Sequence, residues 1–201
     1  MSRIALLSVV LLSLPLAAFG QSVRSDVRGP SVVVHAQRLI HANLFGTNLP
    51  ATIQSPGRET LWGYGGGLQL SYGFTQRTTL FAHLDATAVD GTLARYYLVH
   101  GDAGLRLTWH SWNSPTRPYF DLAATLRSAE TQFDGQRMTA RGLGFTTGLG
   151  IQRFLSQSLG LDFGIRLTVG PYSDLRVPVS ATPVTFEATS IRYRFGMVWF
   201  Y

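Results

Sequence analysis

The clearest pattern of apolar and polar positions runs from Ser190 to Tyr201, the last twelve residues of the sequence. Because side chains on a β-strand point alternately to its two faces, a period of two predicts a strand with one apolar and one polar side. The apolar face would carry Ile191, Tyr193, Phe195, Met197, Trp199 and Tyr201. The polar face would carry Arg192, Arg194 and Gly196.

The same alternation recurs in six earlier segments, and a seventh segment shows it more weakly. Turn residues such as Asp90-Gly91 separate the segments, which predicts antiparallel strands joined one after another. The pattern therefore predicts an all-β fold, an eight-stranded antiparallel up-and-down barrel. The clear segments are 61 to 74, 79 to 88, 97 to 109, 118 to 128, 142 to 154 and 159 to 169, and the weak one begins near Val32.

The predicted connections between these strands differ in length. Short turns follow the second, fourth and sixth strands, whereas residues 45 to 60, 129 to 140 and 171 to 187 are predicted to be long loops. Barrels of the bacterial outer membrane have this asymmetry, with short periplasmic turns and longer outer loops. The connection lengths therefore favour a transmembrane barrel.

The size of the apolar side chains predicts which face points outward. The interior of an eight-stranded barrel is only wide enough for a modest set of side chains, and about five large apolar residues per strand would not fit there. The apolar faces are therefore predicted to meet lipid, and a soluble β-barrel is disfavoured. The polar faces then line a lumen with a predicted charge network of His83, Asp85, His100, Asp102, Arg106, Asp121, Arg127, Asp162, Arg166, Arg192 and Arg194.

Four aromatic residues fall where one set of strand ends would lie. If both termini are periplasmic, Phe74, Trp109, Phe120 and Trp199 lie at the periplasmic ends of their strands. Amphipathic rings collect at the level of the lipid headgroups. These residues are therefore predicted to form an aromatic girdle.

The first twenty residues have the features of an export signal. Arg3 precedes an apolar run from Ile4 to Leu16, and small residues follow. The run is shorter than the roughly 20 residues that span a bilayer, and Pro15 interrupts it. The predicted division is a signal peptide at 1–20, a short leader at 21–30 and the barrel at 31–201.

Composition excludes several classes of function. The 201 residues are 45% hydrophobic and include no cysteine, so disulfides and thiolate metal sites are excluded. The net charge of +6 comes from 17 arginines that are spread singly along the sequence. Because nucleic-acid binding needs a clustered basic patch, no nucleic-acid partner is predicted. No cofactor is predicted either, since Gly65-Gly66-Gly67 opens a strand and not a phosphate-binding helix.

Two His-x-Asp pairs, His83 with Asp85 and His100 with Asp102, face the predicted lumen on adjacent strands. Such pairs could orient an imidazole for acid–base catalysis or bind a metal ion. Catalysis also needs a nucleophile and access for a substrate. We therefore interpret both pairs as part of the lumen charge network, and we predict no catalytic and no metal site.

The signal peptide, the eight alternating strands and the strand from Ile191 to Tyr201 resemble the small outer-membrane barrel proteins of the OmpA and OmpX type. The resemblance implies a location in the bacterial outer membrane, periplasmic N- and C-termini and contact with outer-membrane lipid. It also implies a signal that the barrel-assembly machinery recognises on the last strand, although the family more often ends in Phe. The residues that match this signal are Tyr193, Phe195, Met197, Trp199 and Tyr201.

A shared architecture does not imply a shared activity, and three classes of function stay open. The favoured one is a non-enzymatic structural or surface-interaction barrel that binds an extracellular ligand through its long loops. The second is a lipid-modifying enzyme of the lipid A deacylase or acyltransferase type, with a lipid-facing His and Ser. His110-Ser111 and His41 do not match it, because neighbouring residues on a strand face opposite sides. The third is a narrow pore.

Overall fold

Eight strands make up the fold in a computed structural model that describes residues 28–45, 60–90, 95–109, 114–133, 136–176 and 184–201. The predicted signal peptide and most of the predicted leader lie outside these ranges. No described residue belongs to a helix long and apolar enough to cross a bilayer. The strands are β1 (Gly29–Phe45), β2 (Thr60–Gly73), β3 (Thr78–Asp90), β4 (Arg95–Thr108), β5 (Thr116–Phe133), β6 (Gln136–Phe154), β7 (Leu159–Arg176) and β8 (Val184–Phe200).

The strands close into one barrel in which every strand pairs antiparallel with its neighbours in the sequence. Closure occurs between β1 and β8, where Val32 lies opposite Trp199 and Val34 lies opposite Met197. Closure leaves no exposed strand edge, so the backbone hydrogen bonds are satisfied within the wall, as a bilayer requires. This topology confirms the predicted eight-stranded antiparallel barrel. We name the end that carries Gly29 and Phe200 the terminal end and the opposite end the distal end.

The two faces of each strand differ as the alternation predicts. On β8, Arg192 and Arg194 are buried in the lumen, whereas Tyr193, Phe195 and Met197 are exposed on the outer wall. The other strands expose large apolar side chains in the same way, for example Leu68, Leu126 and Ile165. An apolar surface that encircles the whole barrel is suited to lipid and not to water. The apolar faces therefore point outward.

Aromatic residues mark both ends of this apolar surface. Phe74, Trp109 and Trp199 are exposed at the terminal end, as predicted, and the outward-facing Phe120 pairs there with Leu107. At the distal end the structure adds a second group, Trp62, Tyr64 and Tyr97, which are also exposed. Ten residues separate Tyr64 from Phe74, which is about 33 Å along a strand and about 25 Å along the axis of a tilted barrel. That height matches the apolar layer of an outer membrane.

Two of the predicted long loops are mostly strand, which corrects the sequence-based prediction. Within residues 129 to 140, β5 continues to Phe133 and β6 begins at Gln136, and these two residues lie opposite each other. Residues 171 to 176 belong to β7 and residues 184 to 187 belong to β8. Beyond the lipid both faces of a strand can be polar, so the alternation disappears although the backbone pairing continues. For the loop predicted at 45 to 60, residues 46–59 lie outside the described residues.

The strands are unequal in length as a result. The strands β2, β3 and β4 have 13 or 14 residues, whereas β1, β5, β6, β7 and β8 have 17 to 19. At the terminal end, short connections follow β2 and β6, where the hydroxyls of Thr75 and Ser156 accept hydrogen bonds from the next backbone amides. The wall is therefore taller at the distal end of one side of the barrel.

The first strand has a definite register despite its weak pattern. It begins at Gly29, so Gly29 and Pro30 belong to β1 and not to the predicted leader. His35 lies opposite Gly67 and Gln37 lies opposite Gly65, and both polar side chains are buried. Pairing on both sides during closure sets this register, which a pattern within one strand cannot do.

Candidate functional site

The polar faces of the eight strands meet in the lumen and form a buried cluster of charged residues. Glycines on the inner faces of β2 and β6 leave room for long side chains from the other strands. A Cβ atom at Gly148, for example, would lie 2.8 Å from Cγ of Arg166. Among the described residues, Arg106, Arg166, Arg192 and Arg194 meet Asp85, Asp102, Asp121 and Asp162 in this cluster, and all eight are buried.

Arg166 on β7 lies at the centre of the cluster. Its Nη1 donates to Oδ2 of Asp102 at 3.0 Å, and its Nη2 donates to Oδ2 of Asp121 at 2.8 Å and to Oε1 of Gln69 at 2.9 Å. Its guanidinium also lies over the ring of Phe81, 4.6 Å from the centroid. These partners come from β4, β5, β2 and β3, so this one side chain crosses the lumen.

Arg106 on β4 joins two carboxylates nearer the terminal end. Its Nε and Nη2 bind the two oxygens of Asp121 at 2.8 and 3.0 Å, and its Nη1 binds Asp162 at 2.9 Å. Its guanidinium lies 3.5 Å from the centroid of the Tyr119 ring. The Tyr119 hydroxyl donates to Asp162 at 2.9 Å. A guanidinium that binds both oxygens of a carboxylate has a defined orientation as well as a short distance. The side chains of Arg106 and Asp121 are therefore held rigidly.

Arg192 and Arg194 extend the network from β8. Arg192 binds Asp85 through Nη1, and its Nη2 lies 3.0 Å from Asp102 and 2.7 Å from the hydroxyl of Thr168. Arg194 donates to Oε1 of Gln69 at 3.3 Å and lies 3.5 Å from Asp162. The two arginines therefore join β8 to β2, β3, β4 and β7 across the lumen.

The histidines lie closer to aspartates of the neighbouring strand than to those of their own strand. His83 lies opposite Asp102 in the β3–β4 register, and Asp85 lies opposite His100. Accordingly His83 Nδ1 lies 3.0 Å from Asp102 and 3.5 Å from Asp85, while His100 Nδ1 lies 3.2 Å from Asp85. The predicted pair of His83 with Asp85 is thus present but longer than the cross-strand contact, because directly opposed residues of antiparallel strands are nearest neighbours.

The atoms of His83, Asp85 and Asp102 that could bind a metal lie within 4.8 Å of one another. Arginines already occupy these carboxylates, however. Arg192 binds both Asp85 and Asp102, and Arg166 binds Asp102 and approaches His83 Nδ1 to 2.9 Å. A divalent cation would have to displace two guanidinium groups from a low-dielectric interior, where charge repulsion is strong. The donor set therefore fits an ion-pair network better than a metal.

Arg127 was predicted to join the network, but the structure places it elsewhere. It is buried at the distal side of the lumen, where its Nη1 donates to the backbone carbonyl of Ala188 at 2.9 Å. Its guanidinium lies over the ring of Tyr172, 4.1 Å from the centroid. Nearby, Val89 and Leu98 form a small apolar cluster that covers the charged layers. Arg127 therefore belongs to the distal cap of the lumen and not to its ion pairs.

Several polar residues complete the network without having been singled out from the sequence. His35 lies 3.1 Å from His83 between their Nε2 atoms, and Gln37 donates to Asp85 at 2.9 Å. The hydroxyls of Thr125, Thr146 and Thr168 form a chain with 2.6 Å contacts. All of these residues lie on the inner face of their strands. The position of these residues on the polar faces of their strands would have identified them in the sequence. Selecting mainly charged residues was too narrow a criterion for the network.

The fold is shared with solved structures of small outer-membrane barrels. Neisserial surface protein A is 16% identical, with a TM-score of 0.61 over 87% of this chain and all of that one. OprG of Pseudomonas aeruginosa is 12% identical, with a TM-score of 0.61 over 88% of this chain and 98% of that one. Ail, the attachment invasion locus protein of Yersinia pestis, is 14% identical, with a TM-score of 0.52 over 86% of this chain and 98% of that one. Neither a protein-family model nor a curated protein matches the sequence. These likenesses show the fold.

Proposed function

We propose that this protein is a non-enzymatic barrel of the bacterial outer membrane, with both termini in the periplasm and a structural or surface-interaction role. The observation that supports it best is the buried Arg–Asp network across the lumen. Arg166 alone joins Gln69, Asp102 and Asp121. Because these bonds cross the lumen, we expect no path for an ion through it, and the interactions of the protein would take place on its surface.

The distal ends of the long strands are the surface that would face the cell exterior. The β5–β6 hairpin projects to the pair Phe133 and Gln136, and β7 and β8 extend beside it. Paired strands form a stiffer platform than a free loop, because their backbone groups are already hydrogen-bonded. A ligand that binds there meets a preorganised surface, which lowers the entropy cost of binding.

Orientation is tested by labelling single cysteines in intact cells, because the sequence has no cysteine of its own. A Glu130→Cys variant carries its thiol on the distal part of β5, and a Gln157→Cys variant carries it in the exposed terminal turn. A maleimide that cannot cross membranes should label the first variant and spare the second. Labelling of Gln157→Cys alone would reverse the proposed orientation.

Conductance in planar bilayers separates a closed barrel from a narrow pore. The purified protein should give no stepwise conductance, because the charge network fills the lumen. A double variant, Arg106→Ala with Arg166→Ala, removes two of the crossing side chains and serves as the comparison. Stable conductance steps from the unmodified protein would contradict the proposal.

Lipid mass spectrometry of cells with and without the protein tests the enzymatic alternative. Histidines 35, 83 and 100 have described side chains, and all three are buried in the lumen, away from lipid. His110 and Ser111 lie outside the described residues, and so does the side chain of His41. We expect the acyl chains of lipid A to be unchanged. Loss or gain of one acyl chain that depends on the protein would establish a lipid-modifying enzyme instead.

Recognition by the barrel-assembly machinery is proposed for the outer face of β8. Tyr193, Phe195, Met197 and Trp199 are exposed on this face, beside the closing strand β1, and Tyr201 follows them. A Tyr201→Ser variant alters a side chain that is 80% exposed, so the folded barrel should keep its stability while insertion slows. Equal insertion of the variant and the unmodified protein in cells would contradict this role.

A further inference from the structure

A groove of about 480 Å³ lies on the lipid-facing wall where β3, β4, β5 and β6 run side by side. Its lining includes Leu84, Val99, Leu126 and Leu143, with Gly101 between them. In the strand register, Gly101 lies opposite Leu84 on one side and Leu126 on the other, and Leu126 lies opposite Leu143. The groove is therefore a depression in the apolar wall, centred on a glycine.

Gly101 differs from the other glycines of the barrel in the room beside it. A Cβ atom built at Gly101 would meet nothing nearer than Cβ of Leu126 at 4.0 Å. At Gly104 and Gly150 a Cβ atom would overlap the neighbouring strand or the Tyr119 ring. Packing within the protein therefore requires glycine at those positions and does not require it at Gly101. Glycine in a strand interior weakens the strand and often marks a place where a ligand approaches the backbone.

The leucines around Gly101 are among the more exposed leucines of the wall. Leu84, Leu126 and Leu143 are 60%, 67% and 68% exposed, whereas Leu122 and Leu167 on the same wall are 37% exposed. Directly toward the terminal end, Ala82, Ala103 and Ala124 lie side by side and continue the shallow surface. The depression is thus lined by apolar side chains and continues over small ones toward the terminal end, a surface on which a lipid acyl chain can lie.

The distal end of the groove is polar and basic. Arg141 and Ser128 lie opposite each other on β6 and β5, one row beyond Leu143 and Leu126, and both line the groove. Arg141 is exposed on the lipid-facing side. Two residues make one repeat of a strand face, so about 7 Å separates the Arg141 level from the Leu143 level. Tyr97 of the distal aromatic group lies two residues beyond Val99, so this is the level of the lipid headgroups.

We infer that this groove binds one phosphorylated glycolipid of the outer leaflet, with an acyl chain over Gly101 and a phosphate on Arg141. The assignment to the outer leaflet rests on the proposed orientation of the barrel. The charges agree with it, because a guanidinium has five N–H donors and matches the geometry of a phosphate. The bound lipid would cover the exposed leucines and anchor the barrel in the leaflet that its distal end enters.

Native mass spectrometry of the protein extracted from outer membranes in mild detergent tests the inference. One lipid A-bearing molecule should stay on the unmodified protein. A Cβ atom has room at position 101, so the Gly101→Leu variant places a side chain in the groove, and Arg141→Gln removes the phosphate contact. Arg141→Gln should lower retention about tenfold, the effect of losing one hydrogen bond to a charged group. Gly101→Leu should also lower retention, because its side chain occupies the place of the acyl chain. The matched controls are Ala36→Leu on the opposite wall and Arg153→Gln at the terminal end of the same strand β6, and both should retain lipid like the unmodified protein.

Adding purified lipids back to delipidated protein shows whether the groove prefers a glycolipid of the outer leaflet or a phospholipid. Bisphosphorylated lipid A should bind to the unmodified protein, and the two groove variants should bind it more weakly. Phosphatidylglycerol is added as a competing lipid. Preferential retention of phosphatidylglycerol would overturn the assigned glycolipid, and equal retention by all variants and controls would overturn the groove as a site. Protection of Gln157→Cys from the impermeant maleimide reports the orientation at the terminal end, far from the groove, so failure of the groove leaves the proposed orientation standing. A reversed orientation would leave the groove as a lipid site but would overturn its assignment to the outer leaflet.

Discussion

The lumen and the lipid-facing wall are built from the same eight strands, yet they place different demands on their residues. In the lumen each charged side chain has named partners, and Arg166 touches four other strands. On the wall, Leu68, Leu105 and Ile165 only need to be apolar and exposed to lipid. The lumen is therefore specified by geometry and the wall by hydrophobicity. Substitutions matched between the two faces should show this difference directly.

The largest effect is expected from removing the central arginine. An Arg166→Leu substitution leaves Asp102 and Asp121 short of a buried partner and should lower the free energy of unfolding by about 3–5 kcal/mol. The matched wall substitution is Ile165→Leu, the adjacent residue on the opposite face, which should change it by less than about 1.5 kcal/mol. Urea unfolding in lipid vesicles measures both. Similar losses for the two variants would mean that the network does not stabilise the barrel.

A charge placed on the wall should have the next largest effect. Leu105 on β4 lies eight residues from Tyr97 and four from Trp109, so a Leu105→Arg substitution puts a charge inside the apolar layer, on its terminal side. The expected loss is about 2 kcal/mol, because the cost of about 2–4 kcal/mol at the midplane decreases toward the interfaces. The apolar control Leu105→Ile should stay close to the unmodified protein in the same unfolding assay. A stable Leu105→Arg barrel would place this surface outside the lipid.

An intermediate effect on stability is expected from substitutions of two glycines, one in the lumen and one on the wall. A Gly150→Ala substitution in the lumen forces a methyl group against the Tyr119 ring and should cost about 1–3 kcal/mol. The same change on the wall, Gly101→Ala, meets only Leu126 at 4.0 Å and should be neutral or slightly stabilising. Thermal unfolding followed by the heat-dependent shift on gels measures both. Equal destabilisation would remove the distinction between the two glycines.

The smallest effect concerns one hydroxyl group. A Tyr119→Phe substitution removes the hydrogen bond to Asp162 and should cost about 1–2 kcal/mol, because the buried carboxylate loses a donor. The wall control is Tyr97→Phe, an exposed ring at the distal end, where a change below about 0.5 kcal/mol is expected. The midpoints of denaturant-induced unfolding measure this difference, provided that the slopes of the transitions are the same for both variants. A larger loss for Tyr97→Phe would reverse the ranking of the two faces.

The alternation of side chains was sufficient to determine the face on which most residues lie. It assigned Asp85, Asp102, Arg106 and Arg192 to the lumen and Phe195 to the wall, and the structure places them there. The reason is that a strand has only two faces, so its period is a local property of the sequence. The bulk of the apolar faces then indicated that they point to lipid, since the lumen of eight strands is narrow.

Partners, strand lengths and the groove were decided only by the tertiary structure. His83 contacts Asp102, and Arg127 packs against the Tyr172 ring and not in the ion pairs. The reason is that register and barrel closure determine which residues are opposite one another. The distal parts of β5 to β8 have no apolar face in the sequence, yet they pair because a neighbouring strand offers hydrogen bonds. The room beside Gly101 likewise depends on four strands at once. Such properties arise between strands, so no pattern within a single strand can contain them.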